Sequence, residues 1–407
     1  MPKVALAEIG CPIVQLSASD AFAVCSKEGA LHENHDRGAA AILPDRSTVL
    51  FACLDGHGAE GASVSGYSLR NLLAGCAAAL QVSQHERRER RARMAFSREG
   101  RGVGRVWGTT TFPRGLPLPG ANAIAAAAAR ASPNPCCCPC ATYLPLLNLC
   151  PPPKKQAGKP ATDAVHFAFG RTSGTMAQNV NDCRFSGSTA ILTVLQNTEK
   201  GRVVTTGWVG DSRALVARTR PQQQGQQHAP PGSATAGLIP VPLTKDHKPT
   251  DPKERQRLAD CRAIVRPSRV INPHTGAWIE VGAVRVWDSS QIYGVAMSRS
   301  LGDMQVHPFL IPTPEVSTRL LDDKDKLLVL ATDGVWDVME NDEAVAVSST
   351  SAPAGAAKEM VDTCAKRWDT QMPGRRDDIT AVIVDLSHAD LNVSPEARPT
   401  FDKGPIV

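Results

Sequence analysis

Four aspartates stand where carboxylates can do metal chemistry. Asp55 and Asp333 each close an apolar run and are followed by glycine; Asp211 follows Gly210 between two apolar runs, and Asp377 immediately precedes the last one. A carboxylate at the mouth of a strand sits on a rigid element while its oxygens reach an open cleft. Glycine beside it lets backbone carbonyls and water approach closely. Several such carboxylates brought together repel one another unless cations lie between them, and Mg²⁺ or Mn²⁺ favour carboxylate, carbonyl and water oxygens. A pair of these ions can activate a water and neutralise phosphate charge. One Asp-Gly alone is more commonly a turn. Four in this arrangement argue for a shared site, and spacing by itself leaves their convergence open.

The elements that must hold them can be read from the apolar patterning. Residues 47–54 (STVLFACL) form a strand ending at Asp55, and the small and apolar residues of 61–81 suit a buried helix. Residues 164–180 read as a helix and 186–196 as a strand. Residues 202–218 read as a hairpin turning at Gly210 and Asp211, and a helix is expected to start after Asp251-Pro252. Residues 326–339 repeat the theme of an apolar strand ending in Asp-Gly. Helical stretches at 341–349 and 356–368 follow, and 377–386 gives a terminal strand. Strands and helices mix without a regular βαβ alternation, which favours a layered α+β fold over a doubly wound sheet. Cys53, in a strand beside Asp55, reads as a buried structural cysteine.

The chain has 407 residues and a formal net charge of +5. Residues 84–160 hold 13 Lys and Arg against 3 Glu, whereas the remainder holds 32 against 37 acidic residues. The body is therefore mildly acidic, which argues against nucleic acid as partner and against a two-metal nuclease. That same segment carries an alanine tract, CCCPC and PPPKK, and five of the twelve cysteines. It reads as a low-complexity insertion, largely disordered, and its bias suits translated non-coding sequence. Its cysteines lack the paired spacing of a zinc site, and HERRERRAR reads as a solvated linker before a nuclear-import patch. The opening MPKVALAEIG has no sustained apolar run, and no stretch approaches the length of a membrane span. A reduced protein of the cytoplasm or nucleus is the expectation.

Seven motifs carry a resemblance: LDGHG (54–58), SGSTA (186–190), VGDSRAL (209–215), LTKDHKP (243–249), AMSRSLGD (296–303), LATDGVWDV (330–338) and DDIT (377–380). In this order they resemble the metal-dependent protein phosphatase 2C family, across residues 20–387, with 1–19 as an N-terminal extension and 388–407 as a tail. The resemblance implies a four-layer αββα sandwich of two antiparallel β-sheets flanked by helices, with two Mg²⁺ or Mn²⁺ ions at one end. By position, Asp55 resembles the carboxylate bridging both ions, Gly56 the carbonyl donor, and Asp333 and Asp377 ligands of the second ion. Asp36 resembles the acid that contacts metal-bound water, and Asp211, with Asp333, a third and weaker metal site. His57 matches the proposed general acid. The implied reaction is direct hydrolysis of phosphoserine or phosphothreonine in proteins, with a hydroxide bridging the ions as nucleophile and no phosphoenzyme. A monomer acting on phosphoprotein substrates is expected.

Two departures from the family pattern stand out. His35 replaces the Glu or Gln before Asp36, and Leu31 stands where many members place a phosphate-gripping Arg. Lys27 and Arg37 are the nearby cations that could substitute. The missing Arg keeps open a pseudophosphatase that binds phosphoproteins without hydrolysing them; the intact Asp55, Asp333 and Asp377 favour the active enzyme. Residues 266–295 occupy the position of the family's flap beside the active site, a segment that varies between members and shapes substrate choice.

Overall fold

The computed structural model describes residues 14–16, 18–19, 21–44, 47–99, 160–220 and 237–387. The chain divides into two compact units, Met1–His85 with Gly158–Val407, and Glu86–Ala157. Two six-stranded sheets carry the first unit. In one, β1 (Val14–Leu16), β4 (Arg37–Ile42), β5 (Thr48–Leu54), β8 (Ala190–Thr198), β9 (Gly201–Val209) and β16 (Glu315–Leu320) lie side by side in that order. The other runs β11 (Leu238–Pro242), β10 (Arg213–Thr219), β17 (Asp325–Ala331), β18 (Ile379–Asp385), β3 (Phe22–Lys27) and β2 (Ala18–Ser19). Neighbouring strands in both sheets pair antiparallel.

The strand period of two explains the layering. On β5, Val49, Phe51 and Cys53 join Ile191, Val216, Leu328, Leu330, Val382 and Val384 in a core between the sheets. Phe22 from one sheet meets Phe51 from the other edge-on, ring centroids 5.6 Å apart. The intervening Leu50, Ala52 and Leu54 face the opposite way, onto Leu72, Leu80, Phe169 and Met176 of α1 (Gly61–Glu99) and α2 (Pro160–Asn179). On the second sheet Val329, Ala331, Ala381 and Ile383 pack instead on Met360, Val361, Cys364 and Trp368 of α6 (Pro353–Gln371), beside α5 (Asn341–Ser348). A strand buried on both faces must be mostly apolar, as β5 is from Val49 to Leu54. The result is the expected αββα sandwich, and Cys53 is buried in it as expected.

Three expectations need correction. Residues 202–218 do not form a hairpin: β9 and β10 belong to different sheets, and the chain crosses between them at Gly210. Gly210 has φ +91°, and a Cβ there would stand 2.7 Å from the Thr189 side chain, so the crossing needs glycine. Residues 186–196 are not one strand: Thr189 separates β7 (Gly187–Ser188) from β8. The segment from residue 84 does not begin disordered, because α1 continues to Glu99. Arg, Glu, Met and Ala there are good helix formers, and Glu86 and Glu89 each precede an arginine by four residues. The remainder of that segment, with the alanine tract and CCCPC, lies outside the described residues.

Two small sheets complete the unit. β12 (Ile264–Ile271), β13 (Trp278–Trp287) and β14 (Gly294–Val295) form the flap, following α3 (Pro252–Asp260). Asp251 caps α3 as the sequence suggests, accepting from the backbone N–H groups of Lys253 and Glu254. The second comprises β6 (Gly56–His57), β7 and β15 (Leu301–Gly302). Among the described residues no helix is long and apolar enough to cross a membrane.

Candidate active site

The predicted carboxylates gather where β4, β5, β17 and β18 begin or end. Asp55 follows β5 directly; its N–H donates to Thr189 Oγ1 at 3.0 Å while its carbonyl accepts from Thr189 N–H at 2.8 Å. Asp333 opens α4 (Asp333–Trp336), a single turn that halts the chain leaving β17. Asp36 precedes β4, is 3% exposed, and accepts from Thr332 Oγ1 at 2.8 Å. Asp377 stands two residues before β18.

Electrostatics show that these groups face one another. Asp55 is pushed well above the usual carboxylate range by burial and then by Asp333, Asp36 and Asp377. Asp333 is pushed well up by burial, Asp211 and Asp377, and it shares a hydrogen bond with Asp55. Burial, opposed in part by bonds from Thr332 and Thr380, raises Asp36 to about 8. Asp377 is also raised, by burial first. Crowded carboxylates of this kind keep their charge only if a cation compensates it.

Whether a divalent ion suits them can be judged from their oxygens. Asp36 Oδ1, Asp211 Oδ1 and Asp333 Oδ1 are buried and accept no hydrogen bond. Hard anionic oxygens without donors are what Mg²⁺ or Mn²⁺ coordinate, so the donor set fits. Among the described residues, no three or more His, Cys, Asp or Glu side chains form a finished ligand set around one point. Asp211 differs from the rest, because Lys248 Nζ donates to its Oδ2. A cation at the expected third site would therefore meet a carboxylate already paired with an ammonium.

His57 occupies the second half of β6, and its Nε2 lies 2.9–3.0 Å from both carboxylate oxygens of Asp303. Burial alone lowers the imidazole pKa, but the charge and hydrogen bond of Asp303 outweigh it and the net shift is upward. Asp303 stands inside a quoted motif, yet sequence reasoning gave it no role. Its partner is 246 residues away, and only the pairing of two-residue strands brings them together.

Two further acidic residues went unread. Asp378 is buried and accepts from the backbone N–H groups of Gly29 and His35, each at 2.6 Å, which ties the segment before Asp36 to the start of β18. The acidic pair before the last strand was the available signal. Glu254 holds Arg299 at 2.5 Å and Arg257 at 2.9 Å, and accepts from Ser298 Oγ at 2.9 Å. Burial raises its pKa, but the two guanidiniums win and hold it at about 2. That network anchors the AMSRSLGD segment on α3.

The nearby cations do not replace the missing arginine. Lys27 pairs with Asp362 at 3.5 Å, and Arg37 Nη1 donates to the carbonyls of Asn34 and Asp36 at 2.7 and 2.6 Å. Leu31 is 70% exposed and grips nothing polar. The side chain that faces Asp378 from this segment is His32, whose Nδ1 lies 3.8 Å from it and whose ring stacks on His35 at 4.1 Å.

The sequence profile of the family described as Protein phosphatase 2C matches residues 154–371, more than half of the chain. The chain belongs to the protein phosphatase 2C family. "Probable protein phosphatase 2C 12" of Oryza sativa subsp. japonica is 37% identical over 228 residues, covering 55% of this chain and 52% of that protein. "Probable protein phosphatase 2C 33" of Arabidopsis thaliana is 35% identical over 215 residues, covering 52% and 38%. The chain thus spans about half or less of the length of these curated relatives. Among solved structures, serine-threonine phosphatase 2C from Toxoplasma gondii superimposes with a TM-score of 0.56 at 18% identity, covering 92% of this chain and 99% of that one. A C. elegans sex determining protein gives 0.53 at 16% identity, with 90% and 64% covered. These likenesses establish the protein phosphatase 2C fold.

Proposed function

We propose that this member of the protein phosphatase 2C family hydrolyses phosphoserine and phosphothreonine in proteins, using Mg²⁺ or Mn²⁺. The observation that carries the reading is the crowd of inward-facing carboxylates at one end of the sandwich, with Asp36 and Asp333 oxygens left without donors. Asp55, the Gly56 carbonyl, Asp333 and Asp377 would hold two ions, and Asp211 would contribute to a third, weaker site. When bound, the ions activate water and spread the negative charge of the reacting phosphoryl group. Asp36, with one oxygen fixed by Thr332 and the other free, orients water at this end.

His57 supplies the proton. Its Nε2 is committed to Asp303, and among the described residues its Nδ1 has no hydrogen-bonding partner. As the P–O bond breaks, the Nδ1 proton passes to the departing serine or threonine oxygen. The imidazole is left neutral, with Nε2–H still donated to Asp303. Asp303 favours the imidazolium, the form that can act as an acid near neutral pH.

The test is release of phosphate from a phosphothreonine peptide with Mn²⁺ or Mg²⁺, with and without chelator, for wild type and Asp333→Ala. Activity that chelator removes and Asp333→Ala lowers on the order of a thousandfold is expected. Tight peptide binding with no turnover in either metal would instead identify a pseudophosphatase, the reading that exposed Leu31 and the engaged Lys27 and Arg37 favour.

A further inference from the structure

The machinery around His57 does not end at Asp303. In the small sheet, His57 pairs with Gly187 and Gly187 pairs with Gly302. Asp303 therefore emerges beside the imidazole with only a glycine between. A Cβ on Gly187 would stand 2.2 Å from Asp303 Oδ2 and 2.7 Å from His57 Nε2. Asp303 itself adopts φ +49°, in the left-handed region that non-glycine residues seldom occupy. The fold tolerates this strain because the carboxylate, fully buried, is held from several sides.

Two hydroxyls hold it besides His57. Ser300 Oγ donates to Oδ2 at 2.6 Å from within the same turn, and Tyr293 OH donates to Oδ1 at 2.8 Å from the end of the flap. Each hydroxyl pins one oxygen, so together they fix the carboxylate plane that Nε2 meets. Tyr293 is aimed with equal care. Its ring lies edge-on to Phe185 at 5.3 Å, and its single hydroxyl proton, nearer to Asp303, is shared with the Phe185 carbonyl at 3.0 Å. Its N–H donates to Asp288 Oδ1 at 3.1 Å and its carbonyl accepts from Asp288 N–H at 2.9 Å. Asp288, 1% exposed, also takes bonds from Ser290 Oγ, Ile292 N–H and Gln305 Nε2, which makes the turn after β13 rigid.

We propose that Tyr293 is a positioning residue for proton donation: acting through Asp303, it sets the orientation of His57 and so makes the flap part of the acid machinery. This rests on the phosphatase reading above. The flap hairpin exposes Ile271 and Trp278 at its far end, and its base ends in the tyrosine that fixes the proton donor. A substrate protein that presses on the hairpin acts on the same element that orients the acid.

The experiment uses Tyr293→Phe, which keeps the ring on Phe185 and removes only the hydroxyl. A phosphothreonine peptide needs its leaving oxygen protonated; p-nitrophenyl phosphate, with a good leaving group, needs this little. Loss of one positioning hydrogen bond should lower kcat on the peptide about tenfold. KM should stay within about twofold, and p-nitrophenyl phosphate turnover should fall less than about twofold. Independently of activity, the ring ¹⁵N signals of His57 in metal-free, histidine-labelled protein, assigned with His57→Asn, should shift in Tyr293→Phe. Equal losses on both substrates, or unshifted His57 signals, overturn the proposal. A wild-type protein inactive on both substrates refutes the phosphatase reading alone, and the His57 signals then decide this one.

Discussion

Asp36 and Asp303 are both buried carboxylates of one site, yet burial leaves one inclined to hold a proton and the other ionised. Asp36 faces Asp55 and Asp377 across the mouth of the sandwich and is raised to about 8 by burial. Asp303 suffers burial too, but His57, Ser300 and Tyr293 outweigh it and hold the carboxyl below its ordinary range. In the proposed reading the crowded carboxylates are completed by charge from outside, whereas Asp303 is neutralised from within. A polar cluster is costly when half-satisfied and rigid when fully satisfied. On the proposed reading, the first condition suits the uptake of ions and the second suits the aiming of a proton.

Removing a carboxylate should therefore act in opposite senses at the two ends. Asp55→Asn should abolish metal-dependent turnover, on the order of a thousandfold. It should also raise the Tm of the metal-free protein by about 2–4 °C, the shift that 1 kcal/mol gives in a domain of comparable size. A lower metal-free Tm would break the comparison, since it would mean the carboxylates support each other without ions. Asp303→Asn should do the reverse to stability. It removes the charged partner of the part-buried His57 and leaves two hydroxyls a poorer acceptor, at a cost of about 2 kcal/mol. Urea unfolding of the metal-free protein measures it, and a change under about 1 kcal/mol would place Asp303 outside the structural core of the acid end.

A third group sharpens the contrast on a smaller scale. His247 is 2% exposed and stacks on Trp208 at 5.7 Å, and neither ring nitrogen has a hydrogen-bonding partner. Burial and then Arg299 depress its pKa to about 4 from an ordinary 6.5. As pH falls, the unfolded chain takes up this proton first, so the His247 contribution is whole above pH 6.5 and drains toward pH 4. The loss between pH 7 and 5 is about 2 kcal/mol. In urea titrations at the two pH values, His247→Phe should lack that part of the decline; an unchanged decline would assign it to other groups.

How much of this could be read beforehand follows from the range of each interaction. The places of Asp55, Asp333 and Asp377 near strand ends are legible because strand ends are local features. The layered fold is legible too, since β5 is apolar from Val49 to Leu54. Asp303 and Tyr293 are not, because the role proposed for them depends on the pairing of His57 with Gly187, a contact between two-residue strands. The β9–β10 pair misleads for a related reason. A chain that turns back within a sheet and one that steps to the facing sheet share the same apolar–glycine–apolar pattern. Asp378 acts on backbone N–H groups, which carry no side-chain signature at all.

The position of β18 bears on how such a chain is made. It lies inside the second sheet, between β17 and β3, although it is the last of the described strands to be synthesised. Its partner β3 leaves the ribosome some 350 residues earlier and has no neighbour on that side until Ile379–Asp385 emerges. Translation thus holds the sheet open until nearly the whole domain is finished, a long-range closure of the kind that folds slowly. Asp377 arrives with that same strand, so a product truncated before it lacks both the keystone of the sheet and a proposed metal ligand. Premature termination should yield material for proteolysis rather than a partly active enzyme.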